Sequence, residues 1–327
     1  MSISLKQKCV FFRQLSTLIQ GGVPVLRGIA ILKNQVKSGK FKSVLSDIEL
    51  GVSKGESFSS AMTSQGNTFN LFEISIVKAG EDGGALDLKL RDLASQLEAK
   101  YNLRLKITGS LLYPILLIHA GIFIPPVIQA VSKGLLFYIK AVLINLLVVY
   151  GTGFLLYLLY KLIKSSLVLN KVFDRFILFV PLIGRINYKI SVANYLYGFA
   201  QLYDAGLSLP KCCEVSLSLC SNTAVKAKLS KIEEYIEKGN TLTESFSRTN
   251  TLDPMALGLI ASGEETGNTG SALKKAAQFM RKEADSDITK LVIILPVLII
   301  FLIAVYFGYI IIKFYMNYFD NIFKMVE

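Results

Sequence analysis

One long pattern occurs twice in this chain, and the duplication limits the folds open to it. Lys78-Ala79-Gly80-Glu81-Asp82-Gly83-Gly84 returns 183 residues later as Ala261-Ser262-Gly263-Glu264-Glu265-Thr266-Gly267. Leu45-Ser46-Asp47-Ile48-Glu49 and Lys54-Gly55-Glu56-Ser57-Phe58 align with Leu229-Ser230-Lys231-Ile232-Glu233 and Lys238-Gly239-Asn240-Thr241-Leu242 at an offset of 184. The same offset of 184 sets Leu15, Leu18, Gly22, Val23 and Val25 over Phe199, Leu202, Gly206, Leu207 and Leu209. A single deletion in the intervening loop accounts for the change in offset. A repeat of about 100 residues is too long for a solenoid unit, so it implies two copies of one domain.

Each copy reads as helices throughout. Phe11, Phe12, Leu15, Leu18 and Ile19 fall at helical spacing, and Gly21-Gly22-Val23-Pro24 ends the element. A second helix starts at Pro24 and a third covers 40–53, with Val44, Leu45, Ile48 and Val52 on one face. Ser57 can cap a short fourth helix, and Thr241-Leu242-Thr243-Glu244 is a capping-box pattern at the matching place. A fifth helix over 70–79 reaches the repeated turn, and a sixth starts near Ala85 with Leu86, Leu90, Leu93 and Leu97 on one face. The second copy matches it with Leu273, Ala276, Ala277 and Met280. Gly80-Glu81 and Gly263-Glu264 read as helix-to-helix turns, completed by Gly84 and Gly267. Glycine suits the left-handed residue that ends one helix, and an acid suits the positive start of the next.

The chain is also partly a membrane sequence. Its 327 residues are 52% hydrophobic, without Trp, and the mean hydropathy of +0.48 is high for a chain wholly in water. Three runs meet the span criterion of roughly 18 apolar residues, near Ile107–Val131, Leu135–Ile163 and Leu291–Phe314. The N-terminus shows no apolar segment of signal-peptide type. The expected layout is a helical domain at 1–104, spans at 105–131 and 135–163, a second helical domain at 164–288, a span at 289–315 and a short outer tail at 316–327. The fold class is all-α: two homologous six-helix bundles and three transmembrane helices. Of the 36 Lys and Arg, 32 lie in 1–106 and 161–290, which places both bundles in the cytoplasm by the positive-inside rule. The net charge of +12 is thereby explained without nucleic acid, since 22 acids are interleaved with those cations.

Catalytic constellations are missing. No phosphate loop of the GxxxxGK[ST] type occurs, and the single histidine, His119, lies in the first span, so neither a His-centred triad nor a typical zinc site can form in the bundles. Cys9, Cys212, Cys213 and Cys220 lack metal-site spacing and read as small packing residues. Glu81-Asp82 and Glu264-Glu265 are helix-start anions or, with further oxygen donors, a divalent-cation site; the first reading is the stronger. His119 reads as a neutral residue bonded to a neighbouring helix before it reads as a proton relay. Asp174-Arg175 reads as a solvated pair at the membrane edge. No catalytic, cofactor or metal residue is assigned.

These residues resemble the inner-membrane platform family of type II secretion and type IV pilus systems, the GspF/PilC family. The resemblance is carried by Phe12-Arg13-Gln14-Leu15-Ser16-Thr17-Leu18-Ile19 with Gly22-Val23-Pro24, and by Gly80-Glu81-Asp82-Gly83-Gly84 and Gly263-Glu264-Glu265-Thr266-Gly267. Tyr113-Pro114 at the first span and Pro181-Leu182-Ile183-Gly184 at the start of the second domain complete it. The resemblance implies a non-enzymatic platform in the bacterial inner membrane, without cofactor. Its implied partners are a cytoplasmic assembly ATPase, pilin or pseudopilin subunits, other inner-membrane assembly proteins, membrane lipids and further copies of itself. The alternative, a small-solute transporter, expects repeated spans around a polar midplane site, whereas the clear repeats here are the charged bundles. The layout is testable: on intact cells a membrane-impermeant maleimide should label a cysteine placed at Ser132 but not one at Glu56 or Glu237. Labelling of either bundle from outside would contradict it.

Overall fold

The computed structural model describes residues 3–36 and 39–326, and among them every regular element is a helix. The first copy comprises α1 (Leu5–Gln20), α2 (Val25–Gln35), α3 (Lys40–Ser53), α4 (Phe58–Thr63), α5 (Leu71–Asp82) and α6 (Leu86–Ser110). Local chemistry sets the boundaries. Ser4 and Gln7 form a capping box at α1, Ser57 Oγ accepts from the Ser60 N–H at 3.1 Å to start α4, and Asn70 with Glu73 boxes α5. Gly22 takes φ 82° between α1 and α2, a conformation costly for any residue with a Cβ.

Next come α7 (Leu112–Phe123), α8 (Pro125–Lys133), α9 (Leu135–Ser165) and α10 (Leu167–Phe179). The second copy follows as α11 (Ile183–Tyr203), α12 (Leu209–Ser216), α13 (Thr223–Leu229), α14 (Lys231–Glu237), α15 (Leu242–Thr249), α16 (Pro254–Glu265) and α17 (Thr269–Val326). It repeats the six positions of the first copy with one difference. The counterpart of α3 is interrupted at Ser230, giving α13 and α14.

The chain divides into two compact units, Met1–Leu105 with Ile177–Asp285, and Lys106–Phe176 with Ser286–Glu327. The first unit holds both repeats around one continuous apolar core. Matched core positions trade size for size: Phe12, Leu15, Phe58 and Met62 face inward where Leu196, Phe199, Leu242 and Phe246 do in the second copy, all essentially inaccessible. Such compensated exchanges keep core volume while the sequence drifts. The copies join where α5 packs against α11 and α12. The Phe72 ring lies 3.3 Å from where a Cβ on Gly198 would stand, and the Tyr197 hydroxyl donates to the Asp92 carbonyl at 3.2 Å.

In the second unit the apolar faces point outward. Three helical stretches are long and apolar enough to cross a membrane, Leu86–Val127, Leu135–Ser165 and Thr269–Lys313, with only 11%, 6% and 0% of their most apolar windows buried. Apolar surface exposed on this scale requires lipid or partner helices around it. The bent pair α10–α11 is also apolar, but for another reason: Val192, Tyr195, Leu196, Phe199 and Leu202 of α11 are buried in the first unit.

Two prolines behave differently in these spans. Pro114 lacks the N–H that Ser110 would have received, and a single turn residue, Leu111, separates α6 from α7 in a stretch that stays helical from Leu86 to Val127. Pro296 sits inside α17 without ending it. His119 joins α7 to α9. Nδ1 lies 2.7 Å from the Ile115 carbonyl, to which it donates, and Nε2 is hydrogen-bonded to the Tyr150 hydroxyl at 2.8 Å. Asp174 corrects its sequence reading. It is 4% exposed and paired with Lys164 at 3.3 Å, because the turn from α9 into α10 folds the acid back onto the lysine.

The duplication contains its own mutational comparison. In the first copy Lys8 Nζ meets Glu73 at 2.8 Å, with side-chain exposures of 13% and 3%. The matching positions in the second copy are Val192 and Ala256, both buried and uncharged. One scaffold thus accepts either a buried ion pair or an apolar pair, but not half of the former. Glu73→Ala alone should lower stability by about 3–5 kcal/mol by stranding the lysine. Lys8→Val with Glu73→Ala should recover most of that loss, falling short by about 1 kcal/mol for the capping box. Denaturant unfolding of the detergent-solubilised chain measures both.

Candidate functional site

The repeated Gly-Glu-x-x-Gly segment has one geometry in both copies, and it differs from the turn expected. Gly80 and Glu81 lie in the last turn of α5, and Gly263 and Glu264 in the last turn of α16. The left-handed residues come four positions after these glycines, Gly84 at φ 64° and Gly267 at φ 72°. Backbone bonds close the first turn, from the Ala85 N–H to the Gly80 carbonyl at 3.0 Å and from Gly84 to Glu81 at 3.3 Å. The first glycine therefore serves proximity. A Cβ on Gly80 would stand 3.0 Å from Leu86 Cα and 3.1 Å from Lys89 Cβ, and one on Gly263 would overlap the Ala272 methyl.

The acid also points elsewhere than expected. The Glu81 carboxylate accepts from the Phe58 N–H at 2.6 Å and the Ser59 N–H at 2.9 Å. Glu264 does the same with Leu242 at 2.7 Å and Thr243 at 2.9 Å. Each carboxylate thus caps the start of the preceding short helix, α4 or α15, and not of the following one. Two unpartnered N–H groups and the positive helix end attract it there. With Ser57 and Thr241 capping the same helices, each N-terminus is closed by two residues far apart in sequence. Burial works to raise the Glu264 carboxyl, but hydrogen bonds from Thr243, Leu242 and Thr241 outweigh it and hold its pKa below the ordinary carboxylate value. The lone pairs of both acids are directed at backbone donors, and the described residues include no cluster of three metal-ligating side chains.

The remaining predicted residues act locally. Tyr113 is 54% exposed beside the buried Pro114 on α7. Pro181 is exposed in the turn between α10 and α11, where Leu182 takes φ 63°. Gly184 is buried against the end of α10, and a Cβ there would strike the Leu178 carbonyl. The cysteines pack inside the bundles, and burial pushes Cys212 and Cys220 up to about 12 and Cys213 up to about 11, far from thiolate reactivity.

Sequence reasoning missed a cavity of about 320 Å³ at the seam between the copies, lined by Glu73, Lys100, Asn194, Tyr197, Gln278 and Arg281 among others. Arg281 donates to the Ala99 carbonyl at 3.2 Å across this seam. The residues come from four helices and become neighbours only after the copies pack, so no local pattern marks them.

If the carboxylates are capping groups, Glu264→Gln should destabilise the chain by about 1–2 kcal/mol near neutral pH, since its amide would face an N–H. The depressed pKa makes this contribution present above the ordinary carboxylate value and lost as pH falls through the lowered one. The stability gap between parent and variant should therefore close on acidification, which unfolding curves at stepped pH would show.

Comparison with known proteins places this architecture. The family described as type II secretion system (T2SS), protein F, matches residues 11–131 and again 196–316, so each match takes in a bundle and the apolar helix after it. The type IV pilus assembly protein PilC of Thermus thermophilus is 28% identical over 322 residues, covering 91% of this chain and 78% of that protein. PilC of Pseudomonas aeruginosa is 27% identical, covering 95% of this chain and 88% of its own length. The type II secretion system protein F of Pseudomonas aeruginosa is 26% identical over 93% of this chain and 80% of its own length. With well over half of its length matched as two consecutive copies, the chain belongs to the type II secretion system protein F family.

Proposed function

We propose that this chain is an assembly platform of a bacterial inner membrane. In this reading both bundles face the cytoplasm and receive mechanical work from a separate assembly ATPase. The platform passes that work to pilin or pseudopilin subunits, whose apolar helices leave the bilayer to join a growing filament. It works as a homo-oligomer among other inner-membrane assembly proteins and lipid, and performs no catalysis itself. Relatives named for type IV pilus assembly and for type II secretion support the class.

The observation that carries the mechanical part is α17. It begins inside the second bundle, where Leu273, Ala276, Ala277, Met280 and Ala284 are buried, and runs as one helix through the apolar segment to Val326. A helix transmits displacement along its axis, and the one ladder bond that Pro296 withholds from Val292 does not end this one. The Glu264 cap ties the start of that helix to α15 through the short turn at Gly267.

Interrupting the helix tests the reading. Ser286→Pro, at an exposed position, should reduce surface filaments or secreted substrate at least ten-fold while the protein remains in the membrane fraction, whereas Ser286→Ala should not. Normal assembly with Ser286→Pro would remove the rod mechanism, and normal assembly in cells lacking the whole chain would remove the platform reading.

A further inference from the structure

The two copies do not pair symmetrically, and each is left with half of an interface. Within the chain, α5 of the first copy lies on the α11–α12 face of the second. Along one side of it at helical spacing run Phe72, Ser75, Ile76 and Ala79, with Phe72 and Ile76 each 1% exposed and the Phe72 ring on the Gly198 site. At an offset of 183 the same stripe on α16 reads Met255, Gly258, Leu259 and Ser262. There Met255 is 58% exposed, and a Cβ added to Gly258 would meet nothing. In the second copy Met255, Gly258 and Ser262 of the stripe are exposed, while Leu259 packs partly against the core.

The receiving face shows the complementary situation. Phe72 sits over Gly198, beside Ser216 and Leu219. At an offset of 184 those positions are Gln14, Leu32 and Gln35 in the first copy. There they line an open groove of about 260 Å³ with Val10, Phe11 and Val36. Val10 on its rim is 44% exposed. The groove and the stripe have also changed together. Where the floor is glycine the anchor is a rigid phenyl ring, and where the floor is Gln14 the anchor is the slimmer, flexible methionine.

We infer that copies of this chain associate head to tail, the α16 stripe of one, anchored by Met255, filling the α1–α2 groove of the next. The pairing repeats between chains the contact already made within each. It is heterologous, so it closes into a ring or propagates as an array, and every copy but a terminal one uses both faces. This gives the self-association in the proposed function a specific surface, and it rests on that reading only for the presence of an oligomer.

Disulfide trapping in isolated membranes tests it. A chain carrying both Val10→Cys and Met255→Cys should give, on mild oxidation, a ladder of dimers and higher species at least ten-fold above the parent, whose native thiols, buried at Cys9, Cys212 and Cys213 and half-buried at Cys220, supply the background. Co-expressed single variants should stop at dimers, and Met255→Cys alone should give none. Both positions are exposed, so the variants retain the bundle. As a second readout, Met255→Glu should convert the detergent-extracted assembly to smaller species, and adding Val10→Lys to it should restore the parental mass. A ladder absent from the double variant, dimers from Met255→Cys alone, a monomeric parent, or an assembly indifferent to Met255→Glu would each overturn the inference. None of these readouts depends on filaments or an ATPase, so failure here is separable from failure of the platform reading.

Discussion

Two backbone N–H groups at the start of a six-residue helix can be satisfied in few ways when the helix is mostly buried. In this chain one carboxylate takes both, and the bundle is arranged around that contact. Glu81 reaches back over 20 residues to α4, which fixes the end of α5 against the beginning of α4 and so sets the direction in which α6 leaves. Glu264 repeats the arrangement although its loop is one residue shorter. The loop can change because the carboxylate, and not the connecting chain, holds the register. The neighbouring glycine follows from the same requirement: α5 and α6 meet so closely that a methyl group at Gly80 would press on Leu86.

Divergence between the copies shows which parts of the scaffold are constrained and which are free. The paired caps Ser57 with Glu81 and Thr241 with Glu264 are kept, as are the left-handed glycines Gly22, Gly55 and Gly84 in Gly206, Gly239 and Gly267, while the buried pair Lys8–Glu73 stands opposite Val192 and Ala256. A buried ion pair and an apolar pair are close to interchangeable in free energy when each is complete. The helix matching α3 tolerates an interruption at Ser230 because its flanks still bury Leu229 and Ile232, as α3 buries Leu45 and Ile48. Packing positions persist even where the hydrogen-bonded ladder does not.

Much of this was legible in the sequence, and what was legible was local. The limits of α3, the Ser57 cap, the Thr241–Glu244 box and the leucine stripe of α6 follow from neighbours within a few residues. The duplication added information because a pattern stated twice separates signal from accident. What escaped depends on distant partners. The destination of the Glu81 carboxylate lies 23 residues away, across a loop whose path periodicity cannot give. Asp174 looked solvated beside Arg175, yet the turn after α9 buries it against Lys164. The seam cavity and the exposure of Met255 arise only once two helical modules choose which faces to join.

The prolines of the two bundle-linked spans differ. Each proline withholds one backbone N–H, from Ser110 and from Val292, yet only the first is accompanied by a turn residue, Leu111, between α6 and α7. The two copies of an ancient tandem have therefore come to differ in the helix that follows each bundle, marked by one turn residue after the first and unmarked after the second.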